Sequence, residues 1–276
     1  MNIIIEVTKL LDYLKEIIQE ICDEKMIQYS TLSKDWMIRM EKEGKVAFIV
    51  GSKFSINSDT ASKIASDKYA TYCVLREANI PVIEHKILFH PIYRSKYPSD
   101  LKNEEEIINY FQKCYEKVVV KPNDGSEGKN VYLCKTTEEI FENVKRIFER
   151  KESLSICPYY DIVTEYRAIM LDYECQLLFG KRKAQDNWKF NLSQGASVVE
   201  VENQELQYQL ISLAQKVTMA LQIRFASVDM IQLQTGELMV IEVNSGVTIH
   251  QYTKFVENGR KVAKEIYTKA IEKMLE

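Results

Sequence analysis

Two apolar segments near the end of the chain constrain the fold more than any other feature. They are Ala226–Leu233 and Leu238–Val243, and each has the length and composition of a buried β-strand. Thr235-Gly236 lies between them and is suited to a two-residue turn. The pattern therefore predicts an antiparallel hairpin in which the position of the turn decides which residues face each other.

Three oxygen-bearing side chains fall on one face of this predicted hairpin. A two-residue turn pairs Gln234 with Glu237. The same register pairs Asp229 with Glu242, and Asn244 lies two residues further along the same face. Opposed carboxylates in an apolar sheet repel each other and lose hydration, and a divalent cation removes both costs. Hard oxygen ligands favour Mg²⁺, so we predict a metal site; the alternative is a hydrated hairpin end.

A second motif joins a buried strand to a glycine-bearing loop. Val118–Pro122 is apolar apart from Lys121, and the polar stretch that follows contains Gly125 and Gly128. Glycine backbones can approach a polyanion closely and point N–H groups at it, and lysine adds a positive charge. The motif therefore predicts phosphate binding, with an ordinary β-hairpin as the alternative. It is not a Walker loop, because no Gly-Lys-Ser/Thr precedes a helix.

Charged residues mark two further strands. Lys181, Arg182 and Lys183 end one of them, and alternation points Arg182 away from the other two. Arg182 could bind a phosphate or carboxylate with its forked guanidinium, or the run could be a solvated edge strand. Glu165 and Arg167 share a face of the other strand, where an ion pair is the simplest explanation.

Composition excludes several classes of function. The net charge of −3 provides no general attraction to nucleic acid. The six cysteines form no Cys-x-x-Cys pair, so we expect reduced thiols in a cytoplasmic protein. No apolar run approaches the length that crosses a bilayer, and there is no His-Glu-x-x-His of a metalloprotease.

The order of predicted elements is typical of an α+β protein. Helices are expected at 7–22, 58–79 with a break near 67, 104–115, 136–150, 203–222 and 255–275. Thr136 and Glu139 predict a capping box at the start of the helix at 136–150. Strands are expected at 46–50, 82–89, 118–122, 131–134, 154–157, 164–171, 175–183, 226–233 and 238–243, and the apolar strand at 46–50 is expected to be buried. This mixed order favours α+β lobes over a regular βαβ succession. The amphipathic first helix is a candidate subunit contact, so a homodimer is one expectation.

In order along the chain, these motifs resemble the ATP-grasp superfamily. The similarity is to the branch of ribosomal-protein glutamate ligases, cyanophycin synthetases and glutathione synthetases, and it covers roughly residues 55 to 270. It rests on Asp67-Lys68-Tyr69, the Lys121 strand with its glycine loop, Glu165–Arg167, Lys181-Arg182, Asn191 and Asp229…Glu242-x-Asn244. The resemblance implies two α+β lobes that clamp ATP, namely a lid lobe at 57–157 and a metal and catalytic lobe at 158–276. A short N-terminal α/β segment at 1–56 would precede them.

The resemblance also implies roles for individual residues. The implied ATP-binding residues are Lys68, Lys121, Gly125, Ser126, Gly128, Tyr159, Tyr160 and Glu165. The implied ligands of Mg²⁺, with Mn²⁺ as an alternative ion, are Asp229, Glu242 and Asn244, and the implied catalytic residues are Lys181, Arg182 and Asn191. In this scheme the segment 157–161 meets adenine through its backbone, and Glu165 holds the ribose.

The implied activity is an ATP-dependent carboxylate–amine ligase that works through an acyl phosphate. A small-molecule kinase on the same fold and a non-catalytic ATP-binding module are the alternatives. The substrates would be a small-molecule or peptide acid and an amine. This sequence departs from the family pattern in two ways. Pro158 stands at the hinge where many relatives carry an acid, so the adenine contact is not carried over directly. The N-terminal segment is short where relatives often have a fuller domain that helps hold substrate, so the identity of the substrates stays open.

Overall fold

The computed structural model describes residues 2–93, 96–125, 128–185 and 187–276, with side chains from residue 12 onward. Its helices are α1 (Asn2–Lys25), α2 (Asp59–Ser66), α3 (Lys68–Glu77), α4 (Glu104–Lys113), α5 (Thr137–Glu149), α6 (Gln204–Ala220), α7 (His250–Thr253) and α8 (Gly259–Leu275), with a 3₁₀ turn at Leu192–Gln194. None of the helices in the described ranges is long and apolar enough to span a membrane.

The strands are arranged in three sheets. They are β1 (Gln28–Leu32), β2 (Met37–Lys42), β3 (Lys45–Val50), β4 (Lys53–Phe54), β5 (Lys86–Leu88), β6 (Val118–Pro122), β7 (Tyr132–Cys134), β8 (Leu154–Pro158), β9 (Ile162–Leu171), β10 (Glu174–Arg182), β11 (Ser197–Val199), β12 (Phe225–Leu233) and β13 (Leu238–Asn244). The strand orders are β1-β2-β3-β4, β5-β8-β6-β7 and β11-β10-β9-β12-β13. The predicted α+β class is confirmed.

The chain forms two compact units, each built from separated stretches of sequence. The first unit contains the chain up to Ser62, Arg167–Val228 and Asn244–Glu276, and the second contains Lys63–Tyr166 and Asp229–Val243. This division differs from the three consecutive segments predicted at 1–56, 57–157 and 158–276, because the stretch from Asp229 to Val243 packs with much earlier residues. The three-segment division stays a prediction.

The first unit begins with a helix and a four-stranded antiparallel meander. Ile17, Ile18 and Ile21 of α1 are buried in one core with Met40 of β2 and Ile49 of β3. The helix α1 and the strand β3 were predicted from the sequence, but β1, β2 and β4 were missed. In these strands more exposed and less exposed positions alternate and many side chains are polar, so they lack a continuous apolar run.

Strand β3 is not the buried strand that was predicted. Its side chains alternate, and Val46, Phe48 and Val50 are exposed by 36–41%. Because these residues are apolar, composition alone suggested burial on both faces. In the folded chain, only the opposite face, with Ala47 and Ile49, enters the core.

The second unit packs α4 and α5 against one face of the β5-β8-β6-β7 sheet. Val118, Val120 and Ile156 lie in this core with Ile107 of α4 and Ile140 of α5. Alternation therefore places the residues between them on the opposite face of the sheet. That face carries Val119, Lys121, Ser155 and Cys157, a mixture of apolar and polar side chains.

Helix boundaries in the second unit follow their capping residues. Thr136 accepts a hydrogen bond from the N–H of Glu139 (3.2 Å), and the Glu139 carboxylate accepts from the N–H of Lys135 (2.6 Å). This reciprocal pair confirms the predicted capping box. The predicted break near residue 67 is also confirmed, because Asp67 ends the α2 segment and caps α3 through the N–H of Ala70 (2.7 Å).

The last helix starts later than predicted. We expected one helix from Phe255, but α7 ends at Thr253 and α8 starts at Gly259. At Gly259 the chain passes close to Thr253, and a Cβ atom there would approach the Thr253 Cα to 2.7 Å. The close contact requires glycine, and the turn that produces it separates the two helices.

Asn57 fastens the chain between β4 and α2 to the start of β12. Its Nδ2 donates to the Phe225 carbonyl (2.7 Å), and its Oδ1 accepts from the N–H groups of Arg224 and Phe225 (both 2.9 Å). The amide therefore replaces backbone partners that a neighbouring strand would supply.

We predict that Asn57→Ala lowers the free energy of unfolding by roughly 2–3 kcal/mol, because it leaves these backbone groups without partners. Chemical denaturation with an unchanged m-value would measure this loss. The matched control is Asn258→Ala, because Asn258 precedes α8 without a side-chain capping bond. It should change stability by less than about 0.5 kcal/mol. Equal effects of the two substitutions would refute the bridging role of Asn57.

Candidate functional site

Lys68 is a buried cation at the start of α3 in the second unit. Its ammonium donates to the Gly125 carbonyl (2.7 Å) and lies 3.8 Å from a carboxylate oxygen of Glu242. Burial lowers the pKa of Lys68, the charge of Glu242 opposes this shift, and the charge of Lys121 lowers the pKa further. A cation at a helix N-terminus is also unfavourable to the helix dipole. An added anion would relieve these costs.

Lys121 supplies a second buried cation in the same unit. It lies in β6 opposite Ser155 of β8 and is 6% exposed. Lys68 forms an ion pair with Glu242, whereas Lys121 forms no ion pair within the described ranges. Buried like charges are costly unless an opposite charge compensates them. The two lysines therefore favour binding of an anion, which agrees with their predicted contact with phosphates.

Asn123 connects the end of β6 to the start of α3. Its carbonyl accepts from the N–H of Lys68 (3.1 Å), and its Oδ1 accepts from the N–H of Tyr69 (3.1 Å). Asp67 takes the next N–H of the first turn, that of Ala70. These N–H groups of α3 are therefore already bonded, so phosphate binding here would depend on the lysine charges.

The predicted glycine loop is described only in part. Ser126 lies outside the described residues, and its predicted role stays a prediction. Gly125 presents its carbonyl to Lys68, and a contact between its N–H and phosphate likewise stays a prediction. Gly128 has φ +65°, a conformation that glycine adopts without strain.

The turn of the late hairpin differs from the predicted one. The N–H of Leu233 donates to the Glu237 carbonyl, and the N–H of Gly236 donates to the Leu233 carbonyl (both 2.9 Å). Gly236 has φ +85°, so the loop has three residues and Leu233, not Gln234, pairs with Glu237. The predicted two-residue turn is wrong. It failed because Thr235-Gly236 also suits a loop in which only the glycine is left-handed.

The observed turn does not by itself bring the predicted metal ligands face to face. Continued without a bulge, its register would put Asp229 opposite Ile241, so direct opposition of Asp229 and Glu242 does not follow from the turn. Asn244 belongs to the first unit. Among the described residues, no three His, Cys, Asp or Glu side chains are grouped as a metal site. The metal role of Asp229, Glu242 and Asn244 stays a prediction.

Asp229 nevertheless occupies an unusual place for a carboxylate. It is 1% exposed in the middle of β12. The hydroxyl of Tyr166 on β9 donates to Gln232 on β12 (3.0 Å), so these two side chains share a face. Alternation along each strand then puts Glu165 and Asp229 together on the opposite face. The residues predicted to hold ribose and metal therefore lie on the same side of neighbouring strands.

One backbone N–H of the segment 157–161, which is predicted to contact adenine, already donates a hydrogen bond within the protein. The N–H of Tyr159 donates to the Lys117 carbonyl (3.0 Å), and Pro158 has no N–H. Burial raises the pKa of Tyr160 to about 12, so its hydroxyl is protonated at neutral pH. An adenine contact here would therefore need backbone groups other than the N–H of Tyr159.

The predicted catalytic residues lie in the first unit. Lys181 is 4% exposed in β10 opposite Val198, whereas Arg182 is exposed at the end of that strand. Lys183 follows the strand and is also exposed, so the predicted alternation through all three cations is wrong beyond Arg182. Asn191 precedes the 3₁₀ turn and makes no side-chain capping bond there.

His85 and Ser155 form a polar pair that the sequence analysis missed. His85 is buried in the second unit, and its Nδ1 lies 3.1 Å from the Ser155 hydroxyl. Burial lowers the pKa of His85 well below its ordinary value, and the charges of Lys121 and Lys68 lower it further. The imidazole is therefore neutral. In the sequence, His85 is a single histidine in a predicted strand, and no pattern indicates that it contacts Ser155.

Comparisons with known proteins place this arrangement in a family. The RimK-like ATP-grasp domain matches residues 65–269. The tetrahydromethanopterin:α-L-glutamate ligase of Methanocaldococcus jannaschii is 30% identical over 199 residues, which span 69% of this chain and 61% of that ligase.

Solved structures agree on the fold. The D-alanine–D-alanine ligase of Bacillus anthracis has a TM-score of 0.61 at 21% identity, covering 79% of this chain and 69% of its own. The corresponding ligase of Coxiella burnetii has a TM-score of 0.61 at 18% identity, covering 79% and 59%. The predicted ATP-grasp fold is thereby confirmed, and the chain belongs to the RimK-like ATP-grasp domain family.

Proposed function

We propose that this chain is an ATP-dependent carboxylate–amine ligase. The observation that carries the proposal is the pair of buried cations, Lys68 and Lys121, in a domain of the ATP-grasp family. Both side chains are buried, and among the described residues the ion pair of Lys68 is the one with Glu242, at 3.8 Å. A triphosphate supplies the negative charge that such a site lacks. In this proposal both lysines bind the phosphates of ATP, and Gly125, Ser126 and Gly128 lie over them.

The proposed metal ligands form a donor set that is suited to a magnesium ion. Asp229 and Glu242 provide carboxylate oxygens, and Asn244 provides an amide oxygen; hard oxygen donors favour Mg²⁺, with Mn²⁺ as the alternative. Burial of Asp229 within an apolar strand supports this assignment, because a cation compensates the cost of burying a carboxylate. When bound, the ion would neutralise charge on the phosphates.

The chemistry consists of two balanced steps. An oxygen of the substrate carboxylate attacks the γ-phosphorus of ATP, the bond to the bridging oxygen breaks, and an acyl phosphate and ADP result. An amine then attacks the acyl carbon, loses a proton and expels inorganic phosphate, which leaves an amide. In this proposal Arg182, Lys181 and Asn191 bind the γ-phosphate and the developing oxyanion, which stabilises charge in both transition states.

The substrates are proposed by class. The relative from Methanocaldococcus jannaschii is named as an α-L-glutamate ligase, so L-glutamate is the first amine to test. The acid is a small molecule or a peptide. One of the similar ATP-grasp ligases, PsnB, was solved with a precursor peptide, so peptide acids are the second set to test.

Release of inorganic phosphate separates this proposal from its alternatives. A ligase should release phosphate from ATP only when both acid and amine are present. A small-molecule kinase would convert ATP to ADP with a hydroxyl acceptor and release no phosphate. A non-catalytic module would bind ATP without turnover. Mass spectrometry of the amide product completes the test.

Replacing Lys121 tests the phosphate assignment. We predict that Lys121→Met lowers kcat/KM for ATP by roughly 10²–10³-fold, because a preorganised charge at the phosphates is lost. The control is Lys117→Met, an exposed lysine just before the same strand, which should behave like the wild type. Full activity of the Lys121 variant would exclude its role at the phosphates.

Arg182 is tested by a matched pair of neighbouring cations. Arg182→Ala should lower kcat by about 10²-fold or more, equivalent to on the order of 3 kcal/mol of transition-state stabilisation. Lys183→Ala removes an adjacent exposed charge and should have little effect. Steady-state phosphate release measures both, and equal rates for the Arg182 variant and the wild type would remove Arg182 from the mechanism.

The metal assignment predicts a change in magnesium requirement. Asp229→Asn and Glu242→Gln should each raise the Mg²⁺ concentration for half-maximal activity by at least roughly 10-fold, since each removes a charged ligand. Glu237→Gln changes an exposed acid at the turn of the same hairpin and serves as the control. An unaltered Mg²⁺ titration in both ligand variants would contradict the assignment.

A further inference from the structure

His85 lies where the chain changes its strand partner in the second unit. Before it, the N–H of Ile83 donates to the Val240 carbonyl on β13 (3.0 Å), so this part of the chain runs beside β13. After it, Lys86 pairs with Ile156 on β8. Only two residues, one of them His85, separate the two pairings. The segment around His85 therefore joins β13 to β8.

The His85 side chain holds this part of the chain to β8. Its Nδ1 lies 3.1 Å from the Ser155 hydroxyl. Within the described ranges its Nε2 is buried without a hydrogen-bond partner, so the Ser155 hydroxyl is the contact that orients the ring. His85 and Ser155 are each no more than 1% exposed, so water does not compete for this contact.

The strands on either side of this crossing lead to residues of the proposed nucleotide site. Ser155 on β8 is the direct partner of Lys121 on β6. Val240 on β13, which accepts from Ile83, is two residues before Glu242, whose carboxylate lies 3.8 Å from the Lys68 ammonium. His85 itself does not need to touch the nucleotide, because the segment that it holds lies between the strands that lead to these groups.

We propose that His85, with Ser155, is a positioning residue that sets the spacing between the strand of Lys121 and the strand of Glu242, and thereby the affinity for MgATP. The proposal rests on the proposed function, because it assumes that Lys121 and Glu242 bind the nucleotide and its metal. A purely structural role would stabilise the fold without a specific effect on nucleotide affinity.

Calorimetric titration with the non-hydrolysable analogue AMPPNP and Mg²⁺ tests the proposal in the full chain. His85→Leu keeps the bulk of the side chain but loses the polar contact with Ser155, and it should weaken binding by roughly 10-fold or more, as expected for a partner that orients a ligand-binding group. His85→Gln retains an acceptor and a donor and should restore most of the affinity. Ser155→Ala should weaken binding in the same direction as His85→Leu.

His90 provides a matched control in the same unit. It is also buried, and its Nδ1 accepts from the N–H of Ile92 (3.2 Å), but its ring packs against Phe148 away from the two lysine strands. His90→Leu should lower the melting temperature and leave AMPPNP affinity unchanged.

The outcomes separate the two proposals. Wild-type affinity in a folded His85→Leu variant, or equal loss in the His85 and His90 variants, would overturn the positioning role. If His85→Leu does not fold, wild-type affinity of Ser155→Ala would overturn it instead. Failure of the wild-type chain to bind AMPPNP would instead refute the proposed function.

Discussion

The burial of two lysine ammonium groups is the constraint on which the proposed site depends. Among the described residues, Lys68 forms an ion pair with Glu242 at the long distance of 3.8 Å, and Lys121 lies near enough to lower the pKa of Lys68. A protein interior does not stabilise such charges without compensation. The Gly125 carbonyl and the Glu242 carboxylate offset part of the cost of burying the Lys68 charge. In the proposed site, a bound polyanion offsets the rest of the cost of burying both lysine charges.

The topology explains how distant segments supply these charges. Lys68 starts a helix, Lys121 lies in a sheet strand, and Glu242 comes from a hairpin more than a hundred residues later. The second unit assembles them because the stretch from Asp229 to Val243 returns to pack with Lys63–Tyr166. The neutral His85 lies where the earlier chain leaves this hairpin and joins β8, so one small polar contact links the two sources of charge.

Sequence patterns predicted the structure correctly where interactions between residues close in the chain determine it. The Thr136 capping box, the break at Asp67 and the buried strand Val118–Pro122 were all predicted correctly. Predictions failed where two local solutions are nearly equivalent. Thr235-Gly236 is compatible with a two- or a three-residue loop, and the difference shifts the register of the hairpin by one residue. The meander β1–β4 was mostly missed because one of its faces stays exposed.

The sequence by itself determined the α+β class, the membership in an ATP-grasp family and the identity of Lys68 and Lys121 as candidate phosphate ligands. These follow from the order and spacing of residues, which act locally or as a recognisable pattern. Only the tertiary structure decided that Lys181 rather than Arg182 is the buried cation, that the N–H of Tyr159 is already bonded, and that His85 joins Ser155. Burial and hydrogen-bond partners depend on segments far apart in the chain, and no local pattern specifies which of them meet.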